Sequence, residues 1–314
     1  MRRLVADLGG TNCRLALSTA AGQPLQAVQS YRNEDFASFS DLLGRYLRDT
    51  AQTAIAEMVI AVAGPVNGPA GDQNTQMTNR GWNLSSRELS QNMGNIAVCL
   101  LNDLSAMGHS LAELSEHELV EVQPLNAADP LGQKLVIGIG TGFNVSPVIA
   151  ADHGVVSLKS EFGHVALPLD LYQALQAQIG AKATDFTTIE RCFSGRGFAA
   201  LYAAWAPDAP PLHNAAAIMA AASHNDSVAA FTGFYAELLA LLSRNLIKGF
   251  LPRGGLYFAG TLARNLLTSP AKSAFLQAYG RPDPQFPDLT APVFCILDDG
   301  AALKGCAGVA LPNR

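Results

Sequence analysis

At 314 residues, with 49% apolar residues and a formal net charge of −5, the chain has material for two ordinary domains, each with its own core. It lacks the basic runs of a nucleic-acid surface, and no apolar stretch is long enough to span a membrane. The cysteines, Cys13, Cys99, Cys192, Cys295 and Cys306, are odd in number and form no C-x-x-C pair, so neither a disulfide framework nor a zinc site is expected. They read as small apolar fillers of a reduced, cytoplasmic protein. Met1-Arg2-Arg3 has the charge of a signal n-region, but Asp7 and two glycines interrupt any apolar core, which argues against a signal peptide.

The first element is strand, glycine turn, strand. Leu4 to Asp7 is an apolar run ending in a carboxylate, Gly9-Gly10 offers a turn where positive φ is free, and Cys13 to Leu17 alternates as a second strand. Consecutive backbone N–H groups, with the Thr11 and Asn12 side chains, would form a concavity of the kind that holds phosphate. Asp7 stands where it could hold Mg²⁺ through water. The plainer alternative is a tight hairpin with a solvated carboxylate at its mouth. Pro24 to Tyr31 reads as a third strand, and Phe36, Phe39, Leu42, Leu43, Tyr46 and Leu47 share one helical face. Met58 to Ala63, stopped by Gly64-Pro65, has the continuous apolar pattern of a buried strand. Ser85-Ser86-Arg87-Glu88 is a capping box that opens a helix. Ile96 to Leu101 is another buried strand; it ends in Asn102-Asp103, where a helix begins.

After a connector over 126–132, Leu135 to Gly142 followed by Val145 to Ala150 repeats the strand, glycine turn, strand pattern. Gly9 set against Gly140 aligns the two hairpins as copies of one unit. Val155 to Lys159 is a third strand after the second hairpin. The chain from 168 to 248 is mostly helical, broken at Ser194-Gly195-Arg196-Gly197 and in a Pro-rich loop at 206–212. Strands follow at Gly255–Ala259, ending in Gly260-Thr261, and at Val293–Leu297, ending in Asp298-Asp299-Gly300; a small-residue helix, Ala301–Ala310, closes the chain. Strands alternating with helices indicate largely parallel α/β sheets. There is no G-x-x-x-x-G-K-[ST] loop and no protein-kinase catalytic loop, and Gly138-x-Gly140-x-Gly142 misses the spacing of the dinucleotide fingerprint.

Taken together, D-L-G-G-T-N-C-R-L-A-L, M-T-N-R-G-W, L-L-N-D, G-I-G-T-G, S-E-F-G-H-V, I-E-R-C-F-S-G-R-G, Y-F-A-G and D-G-A-A-L-K-G run nearly end to end in one order. In these motifs the chain resembles the bacterial glucokinase family, within the sugar kinase, actin and heat-shock ATPase superfamily. The resemblance implies an α/β fold of two actin-like ATPase (ribonuclease H-like) lobes with a cleft between them. It implies a small domain over 1–110, completed by a C-terminal helix at 300–314, and a large domain over 111–299. The implied activity is ATP-dependent phosphorylation of a hexose, glucose first, with ATP and Mg²⁺ as cofactors, no nucleic acid or membrane partner, and a homodimer allowed. Asp7, Gly9, Gly10, Thr11 and Asn12 would form the first phosphate loop and Gly140, Thr141 and Gly142 the second, with Gly260 near the adenosine. Asn79, Asn102, Asp103, Glu161, His164 and Glu190 would hold the sugar, and Asp103 would be the general base.

The residues read by themselves leave alternatives open. Asp103 lies at the C-terminal end of a buried strand, where α/β sheets open their ligand crevices, but it could simply cap the helix that follows. Glu161-x-x-His164 could bind vicinal hydroxyls or be a surface turn. Thr187-Thr188-Ile189-Glu190 is itself a capping-box pattern, so Glu190 could tie down a helix start. His109, His117, His153, His213 and His224 read as surface residues. The chain departs from the family pattern at Asn144, Phe162, Thr261 and the pair Asp298-Asp299. Phe162 either lines the sugar pocket or turns into the core. Two other functions compete with glucose phosphorylation: a kinase for mannose or fructose, and a sugar-binding regulator without catalysis. Strand formation from residue 4 argues against an N-terminal helix-turn-helix in such a regulator.

Overall fold

The structure is a computed structural model that describes residues 2–52, 54–77, 81–124, 129, 131–152, 154–287 and 290–311. It opens with β1 (Arg3–Leu8), β2 (Asn12–Ser18), β3 (Gln26–Arg32), α1 (Phe39–Asp49) and β4 (Glu57–Val62). A small pair, β5 (Asn74–Gln76) and β6 (Asn83–Ser85), precedes α2 (Ser86–Asn92), β7 (Ala97–Asn102) and α3 (Asp103–Ser110). Four strands follow: β8 (Leu119–Gln123), β9 (Lys134–Ile139), β10 (Phe143–Ala151) and β11 (Gly154–Ser157). The helical stretch holds α4 (Leu169–Ile179), α5 (Ile189–Phe193), α6 (Gly195–Trp205), α7 (Ala215–Ala221) and the long α8 (Asp226–Phe250). The chain ends with β12 (Gly255–Ala259), α9 (Thr261–Leu267), α10 (Lys272–Tyr279), β13 (Val293–Ile296) and α11 (Ala301–Gly308). Among the described residues no helix is long and apolar enough to cross a membrane.

Two units emerge. The first comprises Met1–Leu114, Ala151–Leu158 and Asp299–Arg314; the second comprises Ser115–Ala150 and Lys159–Asp298. The first unit is built on a sheet of order β3-β2-β1-β4-β7, in which β1 runs antiparallel to β2 and parallel to β4, and β4 parallel to β7. Period-two alternation sends Leu4, Ala6, Leu8, Met58, Ile60 and Val62 to one face, where they pack with Phe39, Leu42 and Tyr46 of α1. Val5, Val59 and Ala61 point the other way, against Ala106 of α3 and Ala302, Leu303 and Cys306 of α11. Burial on both faces is why these strands look like unbroken apolar runs in the sequence. The α1 stripe holds with one difference: Ser38 caps the helix through Asp41 N, so Phe36 precedes it and meets Tyr31 edge to face.

The last helix is locked to the first strand. Arg3 bonds Glu57 through Nε at 2.8 Å, and its Nη1 donates to the Ala307 and Val309 carbonyls at 2.6 and 2.7 Å. A cation on the last carbonyls of a helix is favoured by the helix dipole. Small residues let α3 and α11 approach closely; a Cβ built on Gly305 would stand 1.7 Å from the Ala106 carbonyl oxygen. His109, also on α3, is half-buried rather than on the surface, and burial pulls its pKa down.

The second sheet has the order β11-β10-β9-β12-β13-β8. Its first five positions repeat the first sheet: a hairpin (β9–β10), a third strand outside it, then β12 parallel to β9 and β13 parallel to β12. The two glycine hairpins are therefore equivalent in topology, as their sequences suggested. The second core gathers Phe193, Phe198, Phe231 and Tyr235, with the Phe198 and Tyr235 ring centroids 4.6 Å apart and nearly perpendicular. Cys13, Cys192, Cys295 and Cys306 are buried, and among the described residues no cysteine is in a disulfide.

Gly305→Ala is expected to destabilise the chain by about 3 kcal/mol, the upper end for overpacking a close contact. Thermal unfolding checks this, and an unchanged melting temperature would show that α3 and α11 can separate without penalty.

Candidate active site

In the first unit the polar groups collect where the parallel strands stop. Leu8, Val62 and Asn102 are in register across β1, β4 and β7, so Asp7 and Asp103 share one edge of the sheet. Two strand spacings, about 10 Å, separate the outer two strands of the three. The loop after β1 is held from within and from behind. Gly9 N–H donates to the Asn12 carbonyl at 3.0 Å. Buried Asn33 donates its Nδ2 to the Gly9 carbonyl at 2.8 Å and its backbone N–H to the Thr11 carbonyl at 2.9 Å. Nothing in the sequence around Asn33 signals this role, because its partners lie more than twenty residues away. The expectation that Gly9 and Gly10 supply positive φ is corrected: neither lies in the left-handed region. Gly9 serves clearance instead, since a Cβ there would stand 3.3 Å from the Asn12 carbonyl. Thr11 and Asn12 are exposed at the loop tip.

Asp7 faces Arg14 across the β1–β2 ladder. Burial pushes its carboxyl up to about 6, against the opposing pull of Arg14. A partly buried carboxylate offset by one arginine is a fitting ligand for Mg²⁺, which takes one or two protein carboxylates and keeps its other positions for water and phosphate.

Asn102, not Asp103, caps α3. Its Oδ1 accepts from Leu104 N at 3.0 Å and Ser105 N at 3.4 Å, and its Nδ2 donates to the Gly64 carbonyl at 3.1 Å. Asp103 is the first residue of the helix, partly exposed, with Oδ1 accepting from Leu104 N at 2.8 Å. The capping alternative for Asp103 thus passes to its neighbour. Asn79 lies outside the described residues.

The second unit brings together Gly140, Thr141, Gly142, Glu161, His164, Glu190 and Gly260. Gly140 N–H closes the hairpin on the Gly142 carbonyl at 3.0 Å, and Gly195 N–H reaches the Gly140 carbonyl at 2.8 Å. Thr141 is exposed, and a Cβ on Gly140 would meet no atom within 4 Å, so one side of this turn is open. Gly260, at φ +100°, packs where a Cβ would stand 2.2 Å from the Ile139 carbonyl. A side chain at Gly260 would therefore be both strained and clashing. The capping-box alternative for Glu190 is also corrected. Thr188 caps α5 through Arg191 N at 3.4 Å, which leaves Glu190 at the second helical position. Its Oε2 instead accepts from Phe143 N at 3.2 Å, on the far side of the second hairpin. A Cβ on Gly142 would come within 2.7 Å of that same oxygen. Ser194-Gly195-Arg196-Gly197 is the start of α6, with Ser194 Oγ accepting from Gly197 N at 3.0 Å.

Glu161 immediately precedes a single 3₁₀ turn over Phe162–His164 and His164 ends it, and both are exposed. The turn sits against the hairpin: a Cβ on Gly163 would stand 2.2 Å from the Phe143 carbonyl and 3.2 Å from Glu190 Cβ. Phe162 turns into the core, its ring edge-on to Phe250 at 5.3 Å. Of its two readings, the packing one holds.

Duplicated sheets, each opened by a glycine hairpin and carrying carboxylates at strand and turn ends, are the fold of the actin-like ATPases, to which sugar kinases belong. Residues 4–313 match the family model described as Glucokinase. The chain is 28% identical to the glucokinase of Sinorhizobium medicae (strain WSM419), over 99% of its own length and 92% of that protein. It is 29% identical to a glucokinase of Neisseria meningitidis serogroup C, over 99% and 95%. The crystal structure of a glucokinase from an Antarctic psychrotroph superposes with a TM-score of 0.81 at 27% identity, covering 98% of each chain. The chain belongs to the glucokinase family.

Between about pH 4 and 6 the folded chain retains a proton on Asp7 that the unfolded chain releases, so raising the pH through that window removes stability. Asp7→Asn has no charge to bury. Its stability in denaturant titrations is expected to gain on the parent's as pH rises, by up to about 3 kcal/mol above pH 6. A difference that stays constant from pH 4 to 7 would show that Asp7 is not the titrating group.

Phe162→Ala is expected to lower stability by about 2 kcal/mol, below the cost for a fully buried ring, because the side chain is only partly enclosed. The ratio of kcat/KM between two hexoses should stay within about twofold, since a core ring does not discriminate substrates. A changed ratio with an unchanged melting temperature would return Phe162 to the sugar pocket.

Proposed function

We infer that the chain is an ATP-dependent glucose kinase in which Asp103 is the general base for the attacking 6-hydroxyl. Family membership supports the reaction. The observation that carries the assignment of the base is the division of labour at the end of β7: Asn102 does the capping, and Asp103 stands beside it at the sheet edge where ligands bind. In the reaction the hydroxyl proton passes to the Asp103 carboxylate as its oxygen bonds the γ-phosphorus of ATP, and ADP leaves. Phosphoryl transfer asks for placement, charge neutralisation and a base, and little covalent chemistry from the protein.

The other residues take roles that suit their surroundings. Asn102 uses its Oδ1 on the helix and one Nδ2 hydrogen on Gly64, which leaves the second hydrogen for a sugar hydroxyl. Glu190 keeps Oε2 on Phe143 N and offers Oε1, 3.9 Å from the exposed Arg196, to a hydroxyl. Glu161 and His164 supply an acceptor and a donor from one turn. The backbone N–H groups of the Gly9–Asn12 and Gly140–Gly142 loops suit phosphate oxygens, and Gly260 leaves room for the nucleoside. Mg²⁺ held by Asp7 through water would neutralise charge on the phosphates. Cysteines buried as thiols fit a reducing cytoplasm.

Asp103→Asn tests the base. Calorimetry should find glucose bound with a Kd within about threefold of the parent's. A coupled ADP-release assay should find kcat lowered by about 10²–10⁴, the contribution of a general base. A kcat near the parent's would leave Asp103 a helix-end residue only. The same assay over glucose, mannose and fructose ranks the hexoses, with glucose expected first.

A further inference from the structure

We propose that Asn144 is a positioning residue for the sugar: its carboxamide fixes the backbone on both sides of Glu161 and so sets where that carboxylate points. The proposal rests on the reading of Glu161 as a sugar ligand.

Asn144 is the second residue of β10 and is partly buried. Its Nδ2 donates to the Ser160 carbonyl at 2.6 Å, immediately before Glu161. Its Oδ1 accepts from Phe162 N–H at 2.9 Å, immediately after Glu161, and from Val145 N–H at 2.8 Å. The Ser160 hydroxyl closes the network, 3.0 Å from Asn144 Oδ1 and 2.5 Å from the Val145 carbonyl. Only one orientation of the amide works. Turned over, it would set an NH₂ against two N–H donors and an oxygen against a carbonyl.

This single side chain therefore does for the 160–162 segment what a paired strand would do. Glu161 needs such help, because its φ of −126° and ψ of 51° belong to neither helix nor strand. Two further contacts hold the turn beyond it, the Phe162 ring on Phe250 and Gly163 against the Phe143 carbonyl. All of these act on the backbone or on Phe162, so the Glu161 side chain stays exposed.

Asn144 also follows the glycine hairpin by two residues, so a role in holding phosphate is the rival explanation. Its hydrogen bonds argue otherwise. Among the described residues, its side-chain hydrogen bonds go to Val145 of its own strand and to 160–162, and none goes to Gly140, Thr141 or Gly142.

The test is a double-mutant cycle on the full chain, with glucose Kd read by calorimetry and KM for ATP read in the ADP-release assay. Asn144→Ala is expected to weaken glucose about tenfold, the scale of lost backbone hydrogen bonds, with KM for ATP within about twofold. In a Glu161→Gln background the same change should cost much less, because a misplaced residue matters only while it binds. If Asn144→Ala does not fold, Ser160→Ala carries the cycle, with an expected effect of about threefold. Glucose affinity unmoved by Glu161→Gln alone would overturn the sugar-ligand reading beneath the proposal. Glu161→Gln weakening glucose while the Asn144 effect is absent, additive, or equally large on ATP would overturn the proposal itself.

Discussion

Burial of a parallel sheet on both faces is the constraint from which the rest of the first unit follows. Along β1 and β4 the side chains of Leu4 to Ala6 and of Met58 to Ala61 all enter one of two apolar cores, so a charged group is tolerable only near the point where a strand stops. Asp7 is the test of that limit. It stands one residue short of the end of β1, and burial already holds its carboxyl near neutrality in mildly acidic solution. Asn102 and Asp103 escape the same penalty because β7 gives way to α3 at that point, and helix N–H groups become available to their oxygens. The second unit repeats the solution with glycines at the ends of β9 and β12, where Gly140 and Gly260 follow directly on the last apolar residues.

Glycine does three separate jobs here. At Gly260 it permits a backbone angle that a side chain would strain. At Gly163 and Gly305 the backbone is ordinary, and what matters is the space a Cβ would take from a neighbouring carbonyl. At Gly140 the absent side chain faces open space, which leaves the turn accessible. The first of these can be suspected from a glycine at the end of a strand. The other two depend on what lies opposite, and that partner is tens or hundreds of residues away for Gly163 and Gly305.

Much of the fold was legible because its signals are local. Apolar runs marked β4, β7 and β12, the hairpin pattern marked β1–β2 and β9–β10, and Ser85 marked the start of α2. The capping patterns were less reliable. A Ser, Thr, Asn or Asp near a helix start states that a cap is needed, and neighbours can exchange the duty. Asn102 took it from Asp103, and Thr188 left Glu190 to reach Phe143 instead. Such exchanges turn on one residue of register, which short-range patterns do not resolve.

By itself the sequence determined that this is a two-part α/β protein with duplicated glycine hairpins, and which carboxylates stand at strand or turn ends. Apolar periodicity and the placing of glycine are properties of neighbouring residues, so they survive without a fold. Only the tertiary structure decided what each polar side chain does. Asn33 braces the first hairpin, Asn144 holds the backbone around Glu161, Phe162 joins the core, and Arg3 secures the last helix to the first strand. Each of these depends on a donor and an acceptor, or two rings, that are distant along the chain and meet only after the sheets have formed.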